Sequence, residues 1–196
     1  IIRQKDLAKT FQAIVDGGRD AFYQGEIAEA MVKFTQEQGG LLSMKDLADC
    51  HYRWEESIST TYRGHAVYEA PPNSSGHVLL QELNMVEQFD LKSLGCSTAE
   101  SIHMMVEAKK LAFIDREVYM ADPDHVDVPT QGLISKEYAQ ERAKLIDLSK
   151  AADPAYGDPW RFQTGHGSAG QVVASVSQEE DTTCFVVVDR WGNAVC

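Results

Sequence analysis

The chain has 196 residues, 43% of them hydrophobic, and a formal net charge of −12. That length and apolar content allow a sizeable core. The acidity, with Lys and Arg scattered and never in a run, argues against a nucleic-acid groove, and no apolar stretch approaches the roughly 20 residues that a membrane span needs.

Four cysteines, Cys50, Cys96, Cys184 and Cys196, lie far apart without a CxxC pair. This disfavours a zinc site and a disulfide framework, and it leans toward a reducing, cytoplasmic compartment. No metal or other cofactor is expected. The chain opens on Ile1-Ile2 and stops at Cys196 inside an apolar run, so it reads as a piece of a longer protein.

Residues 5–16 place Leu7, Phe11, Ile14 and Val15 on one helical face, and Gly17-Gly18 should end that helix. Arg19 to Tyr23 reads as a short connection or a single helical turn. A second amphipathic helix is predicted from Glu26 to Gln38, closed by Gly39-Gly40. Ser43 should cap a third, short helix that carries Asp46 in its first turn. The period then changes to two. Ile58, Thr60 and Tyr62 alternate before a turn at Arg63-Gly64, and Val67-Tyr68 follow, so a hairpin is predicted.

Pro71-Pro72-Asn73-Ser74-Ser75-Gly76 punctuates the chain and should open a helix through about Phe89, with the serine hydroxyls capping free amides. Ser97-Thr98-Ala99-Glu100 reads as a capping-box start for the longest helix, ending near Ala121. The end of that helix and the residues just after it hold Asp115, Glu117, Asp122, Asp124 and Asp127. Their spacing does not fit a calcium loop. Asp122-Pro123-Asp124 is turn chemistry, and Asp115-Arg116 is expected to be a structural ion pair. A last helix is predicted over 136–148.

From Ser149 to Asp181 the periodicity dissolves, and a mobile connector is predicted over about 153–180. Its Gly165-His166-Gly167-Ser168-Ala169-Gly170 lacks the Lys-Ser/Thr and the strand–helix context of a phosphate loop. The six histidines are dispersed, and none has a partner at metal-ligand spacing.

The run Thr182-Thr183-Cys184-Phe185-Val186-Val187-Val188 has strand chemistry, Arg190-Trp191-Gly192-Asn193 supplies a turn, and Ala194-Val195-Cys196 begins a second strand. A threonine at the junction of a loose loop and a strand can become an N-terminal nucleophile. Scission of the Asp181–Thr182 bond would give Thr182 a free α-amine, with a pKa near about 8, next to its own hydroxyl. That amine can serve as the base without a histidine.

Residues 182–195, together with 20–50, 57–91 and 108–129, resemble the γ-glutamyltransferase (γ-glutamyltranspeptidase) family in the same order. The resemblance implies an α+β fold, the αββα sandwich of N-terminal-nucleophile hydrolases, of which this chain would be a mostly helical part. It implies three regions: a large-subunit helical portion with a hairpin (1–152), a connector ending at the autocleavage point (153–181) and the start of the small subunit (182–196). Thr182 would be the nucleophile, Thr183 a positioning group, and Asp181–Thr182 the cleaved bond. Substrates would be γ-glutamyl amides such as glutathione, with water or an amino acid as acceptor, in a heterodimer of large and small subunits. The family's carboxylate-gripping arginine would lie upstream of Ile1, and its oxyanion glycines downstream of Cys196.

Family members usually carry His after the two threonines, where this chain has Cys184. That departure keeps open a cephalosporin-acylase-like or oxamate-amidohydrolase-like activity on the same fold. An acidic helical domain that only binds partners is the third reading, and it predicts an intact Asp181–Thr182 bond.

Overall fold

A computed structural model describes residues 3–164, 187–188, 190–192 and 194–195. The chain divides into two compact units, residues 1–54 and 55–196.

In the first unit, α1 (Lys5–Tyr23) is interrupted at Gly18, whose φ of 62° and ψ of −151° leave the helical region. The glycine pair therefore breaks the helix as expected, and the chain resumes helical form beyond it. α2 (Glu26–Glu37) follows, and then α3 (Met44–Ala48). Ser43 caps α3 in a reciprocal capping box: its hydroxyl accepts from the Asp46 amide, and Asp46 accepts from the Ser43 amide. A small core of Ala28, Val32 and Leu47 is flanked by Tyr23, Leu42 and Met44. The apolar stripe of α1 stays open, with Phe11 59% and Val15 78% exposed within the chain.

The second unit opens with β1 (Ile58–Tyr62) and β2 (His65–Glu69), paired antiparallel with Ile58 opposite Glu69 and Tyr62 opposite His65. The two-residue turn has positive φ at both Arg63 (50°) and Gly64 (83°). Such a turn matches the twist of the two strands.

α4 (Gly76–Val86) and α6 (Ala99–Tyr119), with the short α5 (Leu91–Leu94) between them, form the main layer. They meet α8 (Lys136–Ala143) around Val78, Met85, Met104, Ala108, Leu111 and Ala139. Ile58, Leu80 and Ile134 join the hairpin to α4. Thr98 caps α6 and shares the capping box with Ser101, one residue beyond the predicted Glu100.

Four elements depart from the sequence expectation, the first being the short α5, which no periodicity announced. A short helix, α7 (Thr130–Leu133), appears where no periodicity pointed to one. α8 stops at Ala143 rather than 148, because Leu145 and Ile146 close on Arg142 and Ala143 in tight turns. The described start of the predicted connector, 153–164, is packed against the helices. There a 3₁₀ turn (Pro159–Phe162) lays Trp160 and Phe162 on Val118, Tyr119, Leu133 and Tyr138. Gly132 admits this approach, since a Cβ there would lie 2.1 Å from the Pro159 carbonyl oxygen.

Beyond it, β3 (Val187–Val188) pairs antiparallel with β4 (Ala194–Val195), Val187 opposite Val195. The fold of the described residues is α+β, mostly helical with two hairpins.

Candidate functional site

Asp181, Thr182, Thr183 and Cys184 lie outside the described residues. What is described on their carboxyl side is the β3–β4 hairpin, whose turn falls within the Arg190–Asn193 stretch expected to supply one. Its turn uses Gly192 at φ 85°, and the Arg190 guanidinium stacks over the Trp191 ring at 4.1 Å.

The buried polar chemistry of the second unit centres on Asp115, which is fully buried on α6. Its Oδ1 accepts from Arg142 Nη2 at 3.2 Å and from the Gly157 amide at 2.8 Å. Its Oδ2 accepts from Gln81 Nε2 at 2.6 Å and from the Tyr138 hydroxyl at 2.7 Å. The expected Asp115–Arg116 pair does not form. Neighbouring residues on a helix point about 100° apart, so Asp115 faces α4 and α8 while Arg116 turns outward to Glu117 at 2.8 Å.

Burial pushes the Asp115 carboxyl above its usual range, and Arg142 opposes that shift most strongly, followed by the Gly157, Tyr138 and Gln81 hydrogen bonds. Burial also raises Tyr138, as does the adjacent Asp115 carboxylate, and it raises Tyr119 to about 12. Both oxygens of Asp115 are engaged, so the group is spent on holding structure rather than on moving protons. What it holds is the segment after α8. Arg142 Nη2 also donates to the Ala155 carbonyl, and Tyr119 donates to the Gly157 carbonyl at 2.7 Å.

The Pro-Pro-Asn-Ser-Ser-Gly stretch does open α4, with Ser75 at the N-cap, but its hydroxyl caps no amide. That oxygen instead accepts from Arg116 Nε at 3.1 Å. Gly76 is needed for space, because a Cβ there would lie 2.4 Å from the Ala70 carbonyl oxygen. His77 follows, fully buried, and neither ring nitrogen has a hydrogen-bond partner. Burial, helped by the Arg116 charge, pulls its pKa down to about 4. The ring is neutral at pH 7.

Sequence reasoning missed Gln81, Tyr138, Arg142 and Gly157. A signal existed for three of them. Gln81 lies four residues after His77 on the same face of α4, and Tyr138 and Arg142 share one face of α8. The carboxylates of 122–127 behave as turn residues, with Asp122 Oδ1 accepting from the Asp124 amide at 2.9 Å. Among the described residues no group of acidic, His or Cys side chains is arranged to hold a metal. No described helix is long and apolar enough to cross a membrane.

Residues 1–196 match the gamma-glutamyltranspeptidase family model. The chain belongs to that family. Compared with the glutathione hydrolase proenzyme of Bacillus subtilis (strain 168), this gamma-glutamyltranspeptidase-family chain is 39% identical over 195 residues, covering 98% of this chain and 33% of the relative. It thus spans about a third of that relative's length. The Helicobacter pylori gamma-glutamyltranspeptidase structure is similar with a TM-score of 0.73 and 38% identity, covering 85% of this chain and 48% of that one. A cephalosporin acylase from Bacillus halodurans gives a TM-score of 0.72 and 38% identity, over 80% of this chain and 29% of that one.

Proposed function

We propose that this chain is part of a self-processing threonine-nucleophile enzyme that hydrolyses or transfers γ-glutamyl groups of glutathione and related amides. One observation carries the reading. The family match runs through residue 196, with Thr182-Thr183 at the start of a strand-forming run whose end, Val187–Val188, pairs in a hairpin.

In this reading Thr182 Oγ attacks the Asp181 carbonyl carbon, and the amide becomes an ester. Water then cleaves the ester, leaving a carboxylate on Asp181 and a free amine on Thr182. The same hydroxyl next attacks a γ-glutamyl amide. Its proton passes through the Thr182 amine to the departing nitrogen, and the acyl group remains as an ester on Oγ. Water or an amino acid accepts that group. Preorganised donors must hold the developing oxyanion. Thr183 positions the nucleophile. The cleaved pieces stay together as a large and a small subunit.

A second reading is favoured by a specific residue. Cys184 stands where family members usually carry His, and an acylase is as similar in structure as a transpeptidase. On that reading the threonine chemistry is kept and the acyl group differs.

Full-length Thr182→Ala, Thr182→Ser and Thr183→Ala separate the roles. Assayed on γ-glutamyl-p-nitroanilide and on a plain acyl amide, Thr182→Ala should lose turnover on both. Thr182→Ser should keep part of it, and Thr183→Ala should remain processed but slower. Wild-type turnover of the acyl amide alone selects the acylase reading. Normal activity in Thr182→Ala removes both.

A further inference from the structure

We propose that the cleft beside α5 in the second unit binds a small amphipathic carboxylate, a ligand with an apolar body and one acid group. The cleft encloses about 620 Å³, a volume within the range of small-molecule sites. Leu91 and Met105 give it an apolar wall, and Arg63 and Lys92 bring two cations to it.

Neither cation is paired with a carboxylate among the described residues, although the chain carries a net charge of −12. The acids close by are already engaged. Glu87 accepts from the Arg63 amide and is ion-paired with Lys136. Asp90 accepts from the amides of Lys92 and Ser93. Lys92 thus has no carboxylate partner among the described residues, whereas the Arg63 guanidinium lies over the Tyr62 ring at 5.3 Å and its charge also acts on Glu87, so the positive charge at the cleft is only partly offset.

Arg63 (φ 50°) and Ser97 (φ 55°) are the non-glycine residues with positive φ among those described, and both line this one cleft. At Arg63 the tight β1–β2 turn accounts for it, whereas Ser97 is held so in the loop between α5 and α6, next to Cys96. The apolar wall and the two cations at it together select a carboxylate over an amine or a neutral amide.

Cys96 lies in the same lining and is an exposed free thiol, which makes it a built-in reporter. The full-length protein is alkylated with iodoacetamide, and the rates at Cys96 and Cys50 are followed by peptide mass spectrometry. The probes are hexanoate, hexanamide and hexylammonium. Hexanoate should slow Cys96 saturably and leave Cys50, the second exposed thiol, unchanged, while the other two probes do neither. Arg63→Asn, which keeps a residue tolerant of positive φ, and Lys92→Gln should each raise the half-protecting concentration about twofold to fivefold. The proposal is overturned if hexanoate gives no protection or if the three probes protect alike. It is equally overturned if neither substitution shifts the curve, or if Cys96 is unreactive without a probe because the cleft is already filled.

Discussion

His77 shows how a single buried ring couples folding to pH. Its pKa of about 4 lies below the ordinary 6.5 because burial disfavours the charged form and Arg116 repels it. The unfolded chain therefore binds a proton between pH 6.5 and 4 that the folded chain refuses. Stability should be full above pH 6.5 and fall as the pH drops toward 4, by up to about 3 kcal/mol. Denaturant unfolding of wild type and His77→Gln at pH 7.5 and 4.5 checks this: the variant should lose less on acidification. Asp115 carries a different load. Removing its carboxylate leaves the Arg142 charge buried without its partner, so Asp115→Ala should cost about 3–5 kcal/mol, measured as the shift in unfolding midpoint. Neither role was legible in the sequence. Asp115-Arg116 looked like a local pair because the two are adjacent, and only the packing of α4 and α8 against α6 shows that Asp115 faces inward.

Among the elements, hairpins and caps were read well because their signals are local. Arg63-Gly64 between two alternating runs specifies a tight turn, and Ser43 three residues before Asp46 specifies a cap. The Ser74-Ser75 stretch misled for a physical reason: a tertiary partner, Arg116, takes the hydroxyl that the helix would otherwise use. The two N-caps should therefore behave differently. Thr98→Ala removes the hydroxyl that accepts from the Ser101 amide and should cost about 1 kcal/mol, whereas Ser75→Ala should cost less, since no cap bond is lost. Paired unfolding curves decide the order. The docking of 153–164 was illegible because that stretch has no apolar periodicity. A Cβ at Gly157 would lie 2.2 Å from the Tyr138 hydroxyl, which in turn bonds Asp115. Gly157→Ala should therefore destabilise by about 1–3 kcal/mol and open 153–164 to limited proteolysis ahead of the wild type.

At the scale of the whole molecule, the chain supplies a helical scaffold with a family assignment that covers all of it, and the proposed chemistry hangs on one peptide bond. The family was legible because the stretches that carry the resemblance run in one order along the chain. The site's pocket was not, since the resemblance assigns roles only to Asp181, Thr182 and Thr183, and these lie outside the described residues. The most direct measurement is the intact mass of the full-length protein, freshly made and after incubation, for wild type and Thr182→Ala. Wild type should convert from one species to two whose masses place the break between Asp181 and Thr182, while Thr182→Ala should stay as one. A wild type that remains a single intact chain, or a Thr182→Ala protein that is cut at the same bond, would contradict the account.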